Sequence, residues 1–490
     1  MLRSRTGLTT LAFIGVALAC LPFSDLAITT LNPWQELQRL LYGLVTPDLT
    51  ATNELFTAFT RTLAYAFTGV ALGAVIGFLL TTLFSSRLVR AFCAFIRSIH
   101  EIFWALIFLQ CFGIHPLSGV LAIAIPFAGI FAKVYSEIID EADPLPARAA
   151  PKNTRRLLRY FFTQVPEAWP HLRTYTAYRL ECGLRSSAIL GFIGLPTLGF
   201  HLEAAFSQGY YSQVGALLLV FYVLIATMRL WLRPRLVPVY LLAAPFFLGE
   251  GLPIIWGNVT RFVTQDIVPR PLREGEGWEG LQPWLTEILA NQALPGIWNT
   301  LLLTQMALVA TGVLALLAFP LISTHFTGPV RRTSGHVLLV IARSTPEYML
   351  AYLLLQLWGP SMLPAVVALA LHNGGIIGHL VGRMSDEVPL RKGAPIGFNR
   401  YAWELVPRVY PPFLAFLFYR WEIIMRETAI LGILGITTLG FYVEGAIQEI
   451  RFDRAMVLIL ITALLNIGVD ALSRRIRAWL RLRTRPTCEA

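Results

Sequence analysis

The sequence predicts an all-α polytopic membrane protein of about twelve transmembrane helices, arranged as two homologous six-helix halves. Three observations predict it: a low charge content, long unbroken apolar runs, and a motif that occurs twice, 241 residues apart (Arg185 against Arg426). The 490 residues are 56% hydrophobic and 14% charged, with a mean hydropathy of +0.61. A soluble chain carries roughly 25% charged residues. No water-soluble core hides this much apolar surface, and a disordered chain would be far more polar. A membrane β-barrel would alternate apolar and polar residues in segments of about ten, which is not the pattern here.

About 20 apolar residues cross a bilayer. On that basis spans fall near 8–30, 58–84, 92–113, 116–139, 167–187 and 211–232, and then near 237–257, 296–321, 334–358, 362–384, 408–428 and 454–473. Segments 188–206 and 429–447 are apolar but interrupted by Gly and Pro. Ala17-Leu18-Ala19-Cys20 loosely resembles a lipoprotein cleavage box. The counterpart of the first segment at 237–257 argues instead for a retained span.

The net charge is +11, from 40 basic and 29 acidic residues, and Lys occurs only at 133, 152 and 392. The basic residues cluster before the first span and after every second one: Arg3 and Arg5, Arg87 and Arg90, Arg148 to Arg159, Arg233 and Arg235, Arg331 and Arg332, Arg391 to Arg400, and the tail from Arg474. The excess of Arg and Lys marks cytoplasmic loops. With twelve spans these clusters share one side, and both termini are cytoplasmic. The basic balance therefore belongs to the membrane and not to nucleic acid. The five cysteines and eight histidines show no metal spacing and no disulfide framework, so no metal and no cofactor is expected.

Residues 178–200 (YRLECGLRSSAILGFIGLPTLGF) and 419–441 (YRWEIIMRETAILGILGITTLGF) are copies of one another. Earlier, Arg97-Ser-Ile-His-Glu101 matches Arg343-Ser-Thr-Pro-Glu347 at an offset of 246. The two halves are thus 1–236 and 237–490, in the same orientation, a parallel-repeat plan known among transporters.

Each half carries three elements with chemical content. A long basic loop runs from Asp140-Glu141 to Pro166, and from Asp386-Glu387 to Pro407. Loops between packed helices are usually two to eight residues, so these are either docking surfaces or solvated basic segments. An intramembrane arginine follows: Arg185 lies about 28 Å from Pro166 if the helix is unbroken, at 1.5 Å per residue, and Arg426 is equally placed after Pro407. A charge at the bilayer centre costs at least about 2.5–3.5 kcal/mol. Arg185 and Arg426, with Ser186, Ser187 and Thr428, could therefore line the path of a tetrahedral oxyanion, which the guanidinium fork suits. The alternative is i, i+4 pairing with Glu181 and Glu422 on the same helix. The third element is the broken apolar segment with Gly191, Gly194 and Gly199, or Gly432, Gly435 and Gly440. It reads either as part of the path or as close helix packing through small residues. Glu203 and Glu444, at its ends, are expected to face the outer side. His100-Glu101 and Pro346-Glu347 read as helix starts.

These motifs resemble the permeases of ABC importers, type I in fold. The loop resembles their acidic, small-residue, Gly and late-Pro pattern. The stretch Tyr178, Arg179, Glu181, Arg185, Ser186, and its copy Tyr419, Arg420, Trp421, Glu422, Arg426, look most like the phosphonate/phosphite branch. At the family Gly position the first loop has Asn153, and in the second loop Gly393 and Gly397 both qualify. Glu427 stands where the branch has a small polar residue. The resemblance implies coupling loops that dock two copies of a cytoplasmic ABC ATPase. It also implies a periplasmic or lipid-anchored solute-binding protein, alternating access, and a place in a bacterial inner membrane. The chain has no Walker A pattern, so it is expected not to be an enzyme. The alternatives are an ion-coupled secondary transporter of twelve spans and a membrane-embedded lipid-phosphate enzyme.

Overall fold

The computed structural model describes residues 5–30, 32–50, 54–151 and 154–482, and helices with their connecting turns make up all of its regular structure. Asn153 and Cys488 lie outside the described residues. Six helices are long and apolar enough to cross a membrane, or up to nine if each of three bent helix pairs is one span. The polytopic all-α fold stands; the count of twelve is not reached on these criteria.

The first half is built from α1 (Arg5–Cys20), α2 (Pro33–Val45), α3 (Leu55–Thr81), α4 (Arg87–Ser98), α5 (Glu101–Phe112), α6 (Pro116–Glu141), α7 (Val165–Ile189), α8 (Leu198–Ser207) and α9 (Tyr211–Ala226). After α10 (Val237–Ala243) and the helices Trp256–Arg261, Arg270–Arg273 and Gly277–Ile288 come α11 (Leu294–Ala318), which continues the last of these through a π turn, α12 (Pro329–Ser344), α13 (Glu347–Trp358), α14 (Met362–Asp386), α15 (Val406–Ile433), α16 (Leu439–Gln448) and α17 (Phe452–Trp479). The order α3 to α9 recurs as α11 to α17. α5 and α13 keep the 246-residue offset, and α8 and α16 keep the 241-residue offset, at both ends.

Two compact units form, Arg39–Val268, and Met1–Gln38 with Pro269–Ala490. In the first, α6 is the central helix. Phe127, Phe131 and Tyr135 pack with Tyr65, Phe67, Leu172 and Leu184. Gly69, Gly73 and Gly77, one per turn on α3, let the α6 backbone approach; a Cβ on Gly73 would stand 2.9 Å from the Ala124 oxygen. In the second unit α14 is central against α11, and the close-approach glycines (Gly374, Gly378, Gly382) sit on α14 instead. Its core includes Leu303, Ala307, Leu369, Ile377 and Ile424.

The opening helices are exchanged relative to the chain halves. α1 packs on α11: Gln305 donates to the Phe13 carbonyl at 2.9 Å, Thr10 and Tyr410 hydroxyls meet at 2.7 Å, and Phe13 stands edge-on to Phe418 and Trp421. α10 packs on α3 in the other unit, with Tyr240 against Phe67 at 5.4 Å. Beyond Thr10 α1 is apolar, and it is almost wholly unburied by protein, the pattern of a lipid-facing helix.

The expected spans 92–113 and 334–358 are each two helices meeting at a sharp bend, α4–α5 at 89° and α12–α13 at 93°. The bends come from extended residues at the joints. Pro346 disfavours helical backbone at Thr345, which adopts ψ 120°. Its counterpart uses a side chain: His100 is extended and its Nδ1 accepts from the Ile102 amide at 3.2 Å, capping α5. His100 and Pro346 are therefore helix starts, as the sequence suggests. Cys20, Cys93, Cys111 and Cys182 are free thiols.

Candidate functional site: the arginine helices, their glycine turns and the loops before them

Both long loops end in the same device. A π-helical turn, Tyr160–Gln164 or Arg400–Leu405, runs into α7 or α15, whose first turn carries Pro166 or Pro407. Helical backbone precedes each proline (Gln164 at φ −76°, ψ −44°), so the missing N–H removes one intrahelical bond, a loss that a local π turn accommodates. Single π turns are uncommon and concentrate at functional sites. Tyr160 and Tyr401, 241 residues apart, each anchor their turn, to the Thr81 hydroxyl at 2.7 Å and to the Leu316 carbonyl at 3.1 Å. Each turn presents a large apolar side chain to its surroundings at the same position: Phe162 is 76% exposed and its counterpart Trp403 77%.

The acidic residues at the loop starts differ in their settings. Asp140 and Glu141 close α6, and Asp140 lines a cavity of about 440 Å³ with Asp143, Arg148, Arg159 and Gln164. Asp386, the last residue of α14, accepts from the Thr324 amide at 2.7 Å, the Thr324 hydroxyl at 2.8 Å and Ser323 at 3.1 Å. Glu387 is the exposed residue that follows. Arg400 donates to the carbonyls of His325 and Pro395, so the second loop is laced to the 322–327 turn. Buried Glu404 pairs with Arg408 at 2.9 Å. Gly393 and Gly397 both adopt positive φ, 81° and 63°, so geometry accounts for glycine at either one.

Arg185 and Arg426 are half-buried near the ends of α7 and α15. Arg185 Nη2 approaches Cys182 Sγ at 3.5 Å. Glu181 and Glu422 stand one turn before them. The hydroxyls next along are buried and turned onto their own helices: Ser187 donates to the Leu184 carbonyl at 2.8 Å, and Thr428 to Met425 at 2.7 Å. Ser186 donates to Glu101 Oε1 at 2.8 Å. Arg179 sits among aromatic rings, with Nε on the Tyr175 hydroxyl at 2.7 Å. Its counterpart Arg420 reaches the Asn373 side-chain oxygen at 3.3 Å.

The glycine turns are superimposable in their logic. The turn after α7 closes at Gly194 with φ 90°, and that after α15 at Gly435 with φ 89°. The next helix then folds back so closely that a Cβ on Gly199 would stand 1.8 Å from the Ala188 oxygen, and one on Gly440 2.0 Å from the Ala429 oxygen. Gly191 and Gly432 face the same crossing, against the Phe200 and Phe441 amides. The first amide of each short helix is held from outside, Leu198 by the Thr62 hydroxyl at 2.9 Å and Leu439 by Thr300 at 3.0 Å. In the first copy the axis turns by 51°. Glu203 and Glu444 lie on α8 and α16, bonded to Ser207 and Gln448 one turn on.

One cluster was not foreseen. Glu347 at the start of α13, His372 on α14 and Glu427 on α15 converge, all buried, with their ligating atoms within 4.8 Å of one another. Histidine spacing along the chain gives no sign of it, because its members come from three helices. The duplication does carry a signal: Ser186, Pro126 and Phe127 stand where the second half has Glu427, His372 and Asn373.

Comparison with protein-family models and with solved structures finds no match. Curated proteins do match. The phosphate-import permease of Mycolicibacterium smegmatis is 26% identical over 426 residues, covering 80% of this chain and 77% of that protein. A phosphite transport system permease of Stutzerimonas stutzeri is 28% identical over 228 residues, 44% of this chain and 82% of that protein. A permease named for a cryptic phosphonate transport system in Escherichia coli K12 is 28% identical over 110 residues, 22% of this chain and 88% of that protein. With the doubled glycine turns and loop ends described above, these likenesses identify the chain as a homologue of the phosphonate/phosphite-type ABC importer permeases.

Proposed function

We propose that the chain is the transmembrane permease of an ABC importer for phosphonate, phosphite or a related oxyanion. It combines two permease units, 1–236 and 237–490, in one polypeptide. The observation that carries this is the doubled unit of loop, π turn, arginine helix and glycine turn, which recurs in the same order in both halves. The recurrence of α3–α9 as α11–α17 supports the two units, as does the phosphite permease, 82% of which is matched by under half of this chain. Phe162 and Trp403, exposed on equivalent turns, support docking of one cytoplasmic ATPase on each loop. Exposed apolar residues at equivalent places mark contact surfaces.

In the cycle, two separate ATPase subunits hydrolyse ATP, and their closure draws the coupling loops with them. The arginine helices move rigidly because each is continuous with its loop through the π turn. A solute-binding protein delivers the anion on the outer side. Arg185 and Arg426 contribute one guanidinium each to its path through the inner membrane, and both termini are cytoplasmic.

The test is uptake of radiolabelled phosphite or a phosphonate by proteoliposomes holding the full complex with its binding protein. Uptake is expected only with internal ATP, and Arg185→Ala and Arg426→Ala are each expected to lower its rate at least ~10-fold while the complex assembles normally. Unchanged kinetics in both variants removes the arginines from the path. Uptake driven by an ion gradient without ATP overturns the importer reading.

A further inference from the structure

The cluster on α13, α14 and α15 is a set of acceptors. His372 Nδ1 lies 2.8 Å from the Thr345 carbonyl. A carbonyl only accepts, so Nδ1 carries the proton and donates. Nε2 is thereby left as the ligating nitrogen, and it lies 3.6 Å from Glu347 Oε2. A histidine so oriented by a backbone carbonyl is the usual arrangement of a metal ligand. Glu427 is positioned in turn: Asn373 Nδ2 donates to Glu427 Oε2 at 3.1 Å while its oxygen accepts from Arg420. Two carboxylates and an imidazole thus converge, with second partners on His372 and Glu427. Glu347, His372 and Glu427 are each under 10% exposed.

Two carboxylates this close and this buried repel. Arg420 and Arg426, both on α15, act electrostatically on Glu427, and a cation held by all three donors adds positive charge shared by both carboxylates. The first half avoids the problem. There Glu101 receives the Ser186 hydroxyl, and the positions of His372 and Asn373 hold Pro126 and Phe127. The second half has replaced all three positions, from two different helices, by a second carboxylate, an imidazole and an amide that orients the carboxylate. Two carboxylates with an imidazole oriented by a carbonyl form the donor set of a cation site.

We infer that Glu347, His372 and Glu427 form a binding site for one divalent transition-metal cation of the Zn²⁺ type, present in the second half only and joining α13, α14 and α15. Mixed carboxylate and imidazole donors suit Zn²⁺, at bonds of about 2.0–2.2 Å.

The experiment uses the full complex, stripped with chelator, re-exposed to Zn²⁺ and passed through gel filtration, with zinc counted by mass spectrometry. About one equivalent per chain is expected. Co²⁺ in its place is expected to give the visible bands of a low-coordinate site. Glu427→Ser, the residue of the first half, and His372→Gln are each expected to lose the equivalent and the bands. His171→Ala, an exposed histidine in the other unit, is expected to keep both. Glu427→Gln, nearly isosteric, repeats the count should the Ser variant fail to assemble. No retained zinc in the parent overturns the site, as does equal zinc in parent and cluster variants. A parent that binds none, while Glu427→Gln is equally heat-stable, assigns the cluster to a shared proton instead.

Discussion

Gly199 and Gly440 are the residues on which the break in each arginine helix depends, because a carbonyl oxygen occupies the place of their missing side chain. Gly199→Ala or Gly440→Ala is expected to destabilise by about 1–3 kcal/mol or more, as overpacking does. This is read as a lower thermal midpoint in detergent. Gly445→Ala on the same short helix meets nothing within 4 Å and is expected to leave the midpoint unchanged. Thr300→Val tests the neighbouring contact: it strands the Leu439 amide, costing about 1–3 kcal/mol for an unpaired buried donor. The glycines and arginines were legible in the sequence because they recur 241 residues apart, whereas Thr62 and Thr300, 238 apart, fall outside that register. The Glu347, His372 and Glu427 cluster was not, since spacing along the chain says nothing about which faces of three helices meet. Only comparing the two copies position by position reveals it.

Elements were legible to the extent that their signal is local. The long apolar helices and the repeated loops follow from hydropathy and from Pro at the helix starts. The right-angle bends of α4–α5 and α12–α13 do not, because window hydropathy averages over two extended residues. Nor do the π turns, which leave no composition signal. What those turns do is testable: Phe162→Ala and Trp403→Ala are each expected to weaken ATPase docking by ~2 kcal/mol, the scale of an interface anchor. The double variant is expected to purify without ATPase. Measuring ATPase copies per chain after gel filtration checks both. The second loop is further held by Asp386, so Asp386→Ala is expected to loosen the 322–327 turn and raise its amide hydrogen exchange. Asp386→Asn, which keeps an acceptor oxygen, is expected to do so less.

At the scale of the molecule, the duplication was legible and the exchange of opening helices was not. Hydropathy reads 8–30 and 237–257 as counterparts, whereas the helices found are Arg5–Phe23 and the shorter Val237–Phe247, and the partner of a largely apolar helix is written in no local pattern. The packing units therefore cross the boundary between the repeated halves. Fragments 1–236 and 237–490 are expected to restore uptake when made together and to be degraded when made apart, as followed by immunoblot. A chain lacking residues 5–30 is expected to yield trypsin fragments from 269–490 first, with 39–268 cut later.

The same exchange sets a schedule for biosynthesis. α1 leaves the ribosome first, yet the helix it packs on, α11, begins only at Leu294. At ~5–20 residues per second the ~270 residues between them take roughly 15–55 s to make. For that interval α1 stands in the bilayer with lipid as its only neighbour on that flank, and its largely apolar surface is what makes the wait tolerable. Translation speed through residues 21–293 thus becomes a parameter of assembly.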